Sequence, residues 1–242
     1  MSIERDYQDH VEALRAKHPE PEAMSQAVGG YFEEIGFLQL ELLIACGLKR
    51  NHFLIDVGCG SGRLLQHLPK YLSDGRYLGT DVVPALLEHA GQFCMGHPNW
   101  RLQAATGLSI TAGDAEADVV SFFSVLTHLR HEESYLYLKD AIRVLKPGGR
   151  VVFSFLEFTQ KPHWLIFEGM IASATERGPL NQFLSHDAIE AFADHLGCRI
   201  EHYFPGDSLY IPLSRPVTLG EGTHFDTLGT FGQSACVFQK PE

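Results

Sequence analysis

Apolar residues fall along this chain in two spacings, and the change from one to the other marks out its elements. Phe32, Ile35, Leu38, Leu42 and Ala45 recur at helical spacing and predict a helix from about Tyr31 to Ala45. Phe53 to Val57 is a short apolar run bounded by turn residues, the pattern of a parallel strand covered on both faces. Strand and helix patterns then alternate from Phe53 to Phe155, which predicts a parallel sheet with helices on both faces. Pro84 and the acidic pair Glu132–Glu133 mark helix starts, and the helix ending near Leu145 is expected to stop at Pro147-Gly148. Ser185 reads as the N-cap of a helix to about His195. Strands near Arg199–Phe204 and Ser234–Gln239 would close the sheet. Residues 1–24 are polar and charged and predict a loosely held helix or arm.

The stretch Phe53-Leu54-Ile55-Asp56-Val57-Gly58-Cys59-Gly60-Ser61-Gly62-Arg63-Leu64 reads as strand, glycine-rich turn and the start of a helix. Glycines let the backbone turn tightly and approach a ligand closely, and a following helix would aim its free N–H groups at the same spot. A dinucleotide fits poorly. In the fingerprint G-x-G-x-x-G the third glycine would stand where Arg63 stands, and Gly62 comes one position early. Asp56 at the mouth of the turn would repel a pyrophosphate but attract an ammonium and a sulfonium, the two cations of S-adenosylmethionine. Read alone, the loop has a tight strand-to-helix turn as its lesser alternative. Arg76-Tyr77-Leu78-Gly79-Thr80-Asp81 adds a second strand, ending in an acid about twenty positions after the loop. Such an acid accepts hydrogen bonds from both ribose hydroxyls; the alternative for Asp81 is a place in the cap region of the helix at Pro84.

Two further segments complete a pattern: Ser121-Phe122-Phe123-Ser124-Val125-Leu126-Thr127-His128-Leu129, and Arg143-Val144-Leu145-Lys146-Pro147-Gly148-Gly149-Arg150-Val151. With the glycine loop and Asp81 in this order, the chain resembles the class I S-adenosylmethionine-dependent methyltransferases, over about residues 50–157. The resemblance implies an α/β, Rossmann-like doubly wound sheet of seven mostly parallel strands, the last antiparallel. It implies that Asp56, Gly58 and Gly60 line the methionine end, Asp81 holds the ribose and Val82 lies against the adenine. By the same resemblance Cys59 in the loop and Ser124 after the fourth strand belong with the cofactor contacts. One position departs from the family. After the third strand many members carry an acid that accepts from the adenine amino group. Here Thr106 stands there, followed by Gly107, and a hydroxyl accepts more weakly. The alternative is Asp114.

Composition narrows the partners. The chain has 242 residues, 45% hydrophobic and 20% charged, with no apolar run long enough to span a membrane. The N-terminus has no apolar signal core behind a basic start. Cys46, Cys59, Cys94, Cys198 and Cys236 form no C-x-x-C pair, so reduced thiols and a cytoplasmic location are expected. A net charge of −11 without a basic cluster argues against nucleic acid and for a small, neutral or basic acceptor.

We expect N-terminal arm and cap helices over 1–50 and one catalytic domain over 51–242, with 158–184 and 205–229 as substrate-side insertions. The first insertion carries Trp164, Phe167, Met170, Ile171 and Ala174 at helical spacing, a stripe for packing or for a lid. The second is a long connection with Tyr210, Pro212, Pro216, His224 and Phe225. Gly29-Gly30-Tyr31-Phe32 could fold over the cofactor, or place Phe32 in the core and Tyr31 on the surface. His128, just after the fourth strand, is the candidate base; the alternative is local packing. His163, His186 and His224 follow as further candidates, and no metal site is expected from His131, Glu132 and Glu133. The expected function is methyl transfer to an O or N atom of a small molecule. The alternatives are a non-catalytic cofactor-binding module, a nicotinamide oxidoreductase, or a methyltransferase acting on protein or tRNA.

Overall fold

The computed structural model describes residues 3–172, 180–220 and 222–242. In chain order these hold α1 (Ile3–Arg15), α2 (Glu20–Ala27), α3 (Phe32–Ala45), β1 (Phe53–Val57), β2 (Arg76–Asp81), α4 (Pro84–Ala90), β3 (Trp100–Ala104), β4 (Ala117–Phe122), α5 (His131–Val144) and β5 (Leu145–Phe155). There follow α6 (Lys161–Ala172), α7 (His186–Leu196), β6 (Arg199–Phe204), β7 (Ile211–Pro212), β8 (Val217–Leu219), β9 (Thr223–Phe225), β10 (Leu228–Gly229) and β11 (Ser234–Gln239). Seven strands form one sheet in the order β3-β2-β1-β4-β5-β11-β6, and β11 runs antiparallel to both neighbours. This is the Rossmann-like doubly wound architecture expected from the sequence. The chain divides into two compact units, Met1–Thr106 with Ile211–Gly229, and Gly107–Tyr210 with Thr230–Glu242. The expected boundary near residue 50 falls inside the first unit.

In the first unit β1 is buried along its whole length, as an apolar strand covered on both faces must be. Asp56 pairs in register with Gly79, and Asp81 with Ala104, so the strand ends bring the two acids to one edge. The N-terminal arm is firmly held, contrary to expectation. Tyr7, Val11 and Leu14 lie on one face of α1 and close against Ala23 and Met24 of α2 and against Val83 and Leu86, leaving Val11 1% exposed. The residues at 205–229 also form more than a loop. β7 pairs with β10 and β8 with β9, and the stretch docks on α3. There Glu41 accepts from the Ser214 amide and hydroxyl at 2.8 and 2.9 Å, and the Arg215 guanidinium lies 4.1 Å over the Phe37 ring.

In the second unit α5 passes into β5 without a loop, so Pro147-Gly148 lies inside the strand and not beyond a helix stop. The proline still acts on the helix end: a residue before proline is driven out of the α region, and the extended backbone already begins at Leu145. The stripe on α6 is packed only in part: Phe167 is half-buried against Phe158 and Phe183. His163 is its buried residue, while Trp164, Leu165, Ile166 and Ile171 are exposed. Ala174 lies outside the described residues.

α3 approaches the glycine loop closely because position 36 has no side chain. A Cβ on Gly36 would stand 2.0 Å from the Arg63 carbonyl oxygen. Gly36→Ala is therefore expected to destabilise by about 1–3 kcal/mol, against an alanine helix preference of about 1 kcal/mol, and to lower Tm by roughly 2–12 °C. Gly91→Ala, where nothing lies within 4 Å of the added atom, is the control in the same thermal melt and should leave Tm nearly unchanged.

Candidate functional site

The chain leaves β1 into a loop that is strapped to the end of β2. The Gly58 and Cys59 amides both donate to the Thr80 carbonyl, at 2.7 and 3.0 Å, and the Gly60 amide donates to Asp81 Oδ2 at 2.9 Å. Gly60 has φ +57°, a left-handed conformation that favours glycine, and a Cβ there would lie 2.6 Å from the Val28 side chain. The expected α-helix after the loop is absent. A turn runs instead into a six-residue 3-10 helix, Leu65–Lys70, with Pro69 inside it. The anion-attracting end of a regular helix is therefore missing, and the loop's own amides are spent on β2.

Asp81 is the centre of this arrangement. Oδ2 takes the Gly60 amide and Oδ1 takes the Val83 amide, at 2.9 Å each. Each carboxylate oxygen keeps a second acceptor position, which suits the pair of hydroxyls on a ribose. Burial raises the Asp81 pKa, and the surrounding backbone amides act the other way. Tyr7 of α1 stands near enough for its phenol to be pushed up by burial and by the Asp81 charge. Val82 and Val83 belong to the apolar cluster that Tyr7 joins. The N-terminal hairpin thus borders the segment where an adenine would lie.

Asp56 is buried, and the Tyr77 hydroxyl donates to its Oδ2 at 3.1 Å. Cys59 is buried between the two acids, and burial followed by the charges of Asp81 and Asp56 pushes its thiol well up. It is no nucleophile; its sulfur fills space under the turn, 2.9 Å from where a Cβ on Gly79 would be. Thr106 is exposed two residues after β3, and Ala105 beside it donates to the Asp81 carbonyl at 2.8 Å. The alternative acid, Asp114, is paired with Arg143 at 2.7 Å in the second unit. Phe32 packs with His89 and Phe93, while Tyr31 is exposed with φ +45°.

In the second unit the Gly107 carbonyl accepts from the Tyr137 hydroxyl at 3.2 Å. Ser124 follows β4 with φ +59°, its amide donating to Ser154 Oγ at 2.7 Å and its hydroxyl bonded to the Gln233 amide group. His128 is half-buried at the end of a short 3-10 turn, Leu126–His128. Its Nδ1–H donates to the Leu180 carbonyl at 2.7 Å, which leaves the lone pair of the neutral ring on Nε2. Burial holds its pKa below the ordinary 6.5. The other histidines are engaged elsewhere. His163 is 0% exposed, taking the Glu157 amide on Nδ1 at 3.0 Å and donating to the Gly232 carbonyl from Nε2 at 3.1 Å. His186 and His224 are exposed beside Glu190 and Asp226. His131 donates to the Phe183 carbonyl at 2.9 Å. Among the described residues no cluster of three His, Cys, Asp or Glu side chains could hold a metal, and no helix is long and apolar enough to cross a membrane.

The loop fits a nucleoside cofactor with a cationic arm: a paired acceptor at Asp81 and a buried carboxylate at Asp56, beside a turn whose Gly60 has no room for a side chain against Val28. Three participants escaped the sequence reading. Arg63 donates to the Val28 carbonyl, and Val28 and Tyr7 border the loop and Asp81 from the N-terminal segment. Arg63 had a signal, since it stands where a dinucleotide fold needs glycine. Val28 had none, and for Tyr7 nothing in the local spacing pointed to Asp81, because these partners lie more than thirty positions away in the chain.

Residues 54–149 match a family model described as a methyltransferase domain. The chain is 31% identical over 164 residues to a malonyl-[acyl-carrier protein] O-methyltransferase of Hahella chejuensis, over 65% of this chain and 53% of that one. It is 29% identical to a ubiquinone biosynthesis O-methyltransferase of Hydrogenovibrio crunogenus, over 56% of each. The chain spans about half the length of the curated relatives it matches. Its fold is similar to that of magnesium protoporphyrin IX methyltransferase from Synechocystis PCC 6803, solved with S-adenosylhomocysteine bound, at a TM-score of 0.60 and 14% identity over 96% of this chain and 93% of that one.

Asp81→Ala removes the partner of the Gly60 and Val83 amides, and with it the carboxylate that would accept from a ribose. S-adenosylhomocysteine at a hundred times its Kd is expected to stabilise the wild type by about 2.7 kcal/mol, or roughly 5–10 °C in Tm. In Asp81→Ala that shift should vanish, with calorimetric affinity down at least about tenfold. An unchanged affinity would remove Asp81 from the site.

Proposed function

We propose, for a chain that belongs to the class I S-adenosylmethionine-dependent methyltransferases, transfer of a methyl group to an oxygen or nitrogen atom of a small-molecule acceptor. The observation that carries this reading is the glycine loop bonded through Gly60 to Asp81. The loop, Asp56, Asp81 and Val82 would hold the cofactor, with Gly58, Cys59 and Gly60 shaping the turn and Thr106 as the adenine contact; Gly107 and Ser124 are cofactor residues by the family resemblance. When bound, the cofactor supplies a methyl group already activated on a sulfonium. The chain's task is then orientation, placing the acceptor in line at about 3–3.5 Å for direct displacement with inversion.

His128 is the proposed base. Its Nδ1–H bond to Leu180 fixes the tautomer and gives Nε2 the lone pair that takes a proton. An oxygen acceptor is supported by the names of the two relatives, both O-methyltransferases. An apolar or aromatic acceptor is supported by the surface that follows β5. Phe158, 50% exposed, stacks on Phe183 at 4.4 Å and 8°, and Trp164, 43% exposed, meets it at 6.4 Å. Ligands of open parallel sheets bind beyond the carboxyl ends of the strands, which is where this aromatic group sits on its own strand.

The test is a panel of phenols, carboxylic acids and amines with S-adenosylmethionine. Formation of S-adenosylhomocysteine with a gain of one methyl by the acceptor is the expected result. Cofactor binding without transfer to any member would favour a binding module instead. With a productive acceptor, His128→Gln should lower kcat by about 100-fold or more while S-adenosylhomocysteine binding holds.

A pH profile gives the sign independently. Burial depresses the His128 pKa below 6.5, so the ring is neutral at pH 7 and the acid limb of kcat should lie below 6.5 and flatten in His128→Gln. The same shift means that the unfolded chain takes up the proton first as pH falls from 6.5, so His128 lowers folded-state stability over that window. Tm should fall less on acidification in the variant.

A further inference from the structure

Arg63 follows the last glycine of the loop, and its bond to the Val28 carbonyl leaves most of its donors unaccounted for. Its guanidinium donates to the Val28 carbonyl, and a Cβ on Gly29 would lie 3.8 Å from one of its nitrogens. Among the described residues it makes that one hydrogen bond and no ion pair. A guanidinium carries five N–H donors, so four are left over in a side chain that is only partly exposed. Desolvation lowers its pKa to about 10, and the Asp56 charge acts in the opposite direction. The group is therefore a full cation at neutral pH in surroundings poor in water. Such a charge costs free energy unless an acceptor meets it. Arg63 and Asp56 thus set opposite charges beside one glycine loop, and an amino acid offers the matching pair.

We propose that Arg63 takes the α-carboxylate of the cofactor's methionyl arm, alongside Asp56 at the α-ammonium. The proposal rests on the S-adenosylmethionine reading of the site and adds to it the residue that selects an intact amino-acid tail. A guanidinium meets a carboxylate through two parallel N–H bonds, a geometry that a lysine cannot reproduce. The Val28 carbonyl holds the head of the side chain and limits the rotamer freedom lost on binding.

The experiment is calorimetry with three ligands against wild type, Arg63→Met and Arg63→Lys. S-adenosylhomocysteine carries the whole tail, its decarboxylated analogue lacks only the carboxylate, and 5′-methylthioadenosine lacks the amino acid altogether. Wild type should bind S-adenosylhomocysteine about 10- to 100-fold more tightly than the decarboxylated analogue. Arg63→Met should close that gap and leave 5′-methylthioadenosine within about threefold of wild type, while Arg63→Lys restores part of it. Because the readout is a ratio between ligands, a general loosening of the Val28 segment does not imitate it. The proposal is overturned if wild type does not distinguish the two tails, if Arg63→Met keeps the distinction, or if that variant loses 5′-methylthioadenosine as severely as S-adenosylhomocysteine. Failure of wild type to bind any of the three would overturn the cofactor reading itself, and the proposal with it.

Discussion

The carboxylate of Asp81 lies between two backbone amides, and the first unit is arranged around keeping it there. Withdrawing a carboxylate from water costs several kcal/mol, and each amide bonded to the charged acceptor returns about 1.5–3 kcal/mol. The Gly60 amide reaches Oδ2 because Gly60 adopts φ +57° and because Thr80 holds the two preceding amides. The Val83 amide reaches Oδ1 because β2 ends one residue before an extended turn into α4. One side chain therefore joins β1, β2 and α4. The bonds that stabilise it also fix the direction of its remaining lone pairs, so a ribose bound as proposed would meet acceptors that need no rearrangement.

Charge explains why this loop suits a sulfonium better than a phosphate. Asp56 and Asp81 stand at the ends of neighbouring strands, and burial, followed by their combined charge, raises the pKa of the Cys59 thiol beside them. Asp56 helps to keep the Tyr77 phenol protonated as well. At an effective dielectric of 20, a unit charge about 4 Å away acts with about 4 kcal/mol. A cationic cofactor gains from that field, and the neutral thioether left after transfer does not. Regular helices offer positive N-termini to phosphates. Here the 3-10 turn and the commitment of the loop amides to Thr80 and Asp81 remove that attraction.

The parts legible in the sequence are those written in local spacing. β1 showed as an apolar run, the glycine loop as three glycines at alternate positions, and Asp81 by its distance from them; the parallel sheet followed from strand and helix alternation, and its antiparallel closing strand from the family resemblance alone. What escaped depended on partners distant in the chain. Tyr7, Val11 and Leu14 do lie at helical spacing, but the charges around them hid the face that closes on Val83. The short strands between 211 and 229 are two or three residues each, too brief for a periodicity to show, and become strands because they pair with one another and dock on α3. Pro147-Gly148 carried a stop signal that was real but acted two residues earlier. The stripe on α6 stayed open between packing and a lid, because spacing alone does not tell a buried stripe from an uncovered one.

The cofactor side of such a protein can be read from few residues because its ligand does not vary; the acceptor side answers to a molecule that does. That difference appears in how the α6 region is built. Its aromatic surface is open, yet the backbone beneath is rigid. Glu157 is buried and accepts from the Ser234 and Tyr203 hydroxyls, while His163 joins the Glu157 amide to the Gly232 carbonyl. A buried polar network of this kind is costly unless every member is satisfied, and here both carboxylate oxygens and both ring nitrogens have partners. It ties the start of α6 to β6 and to the approach of β11, so Phe158 and Trp164 project from a fixed base. Variation in the exposed rings can then change what is bound without disturbing the strands that carry them. Fixed polar bonds below and exchangeable apolar surface above are what the substrate-side role proposed for this segment would require.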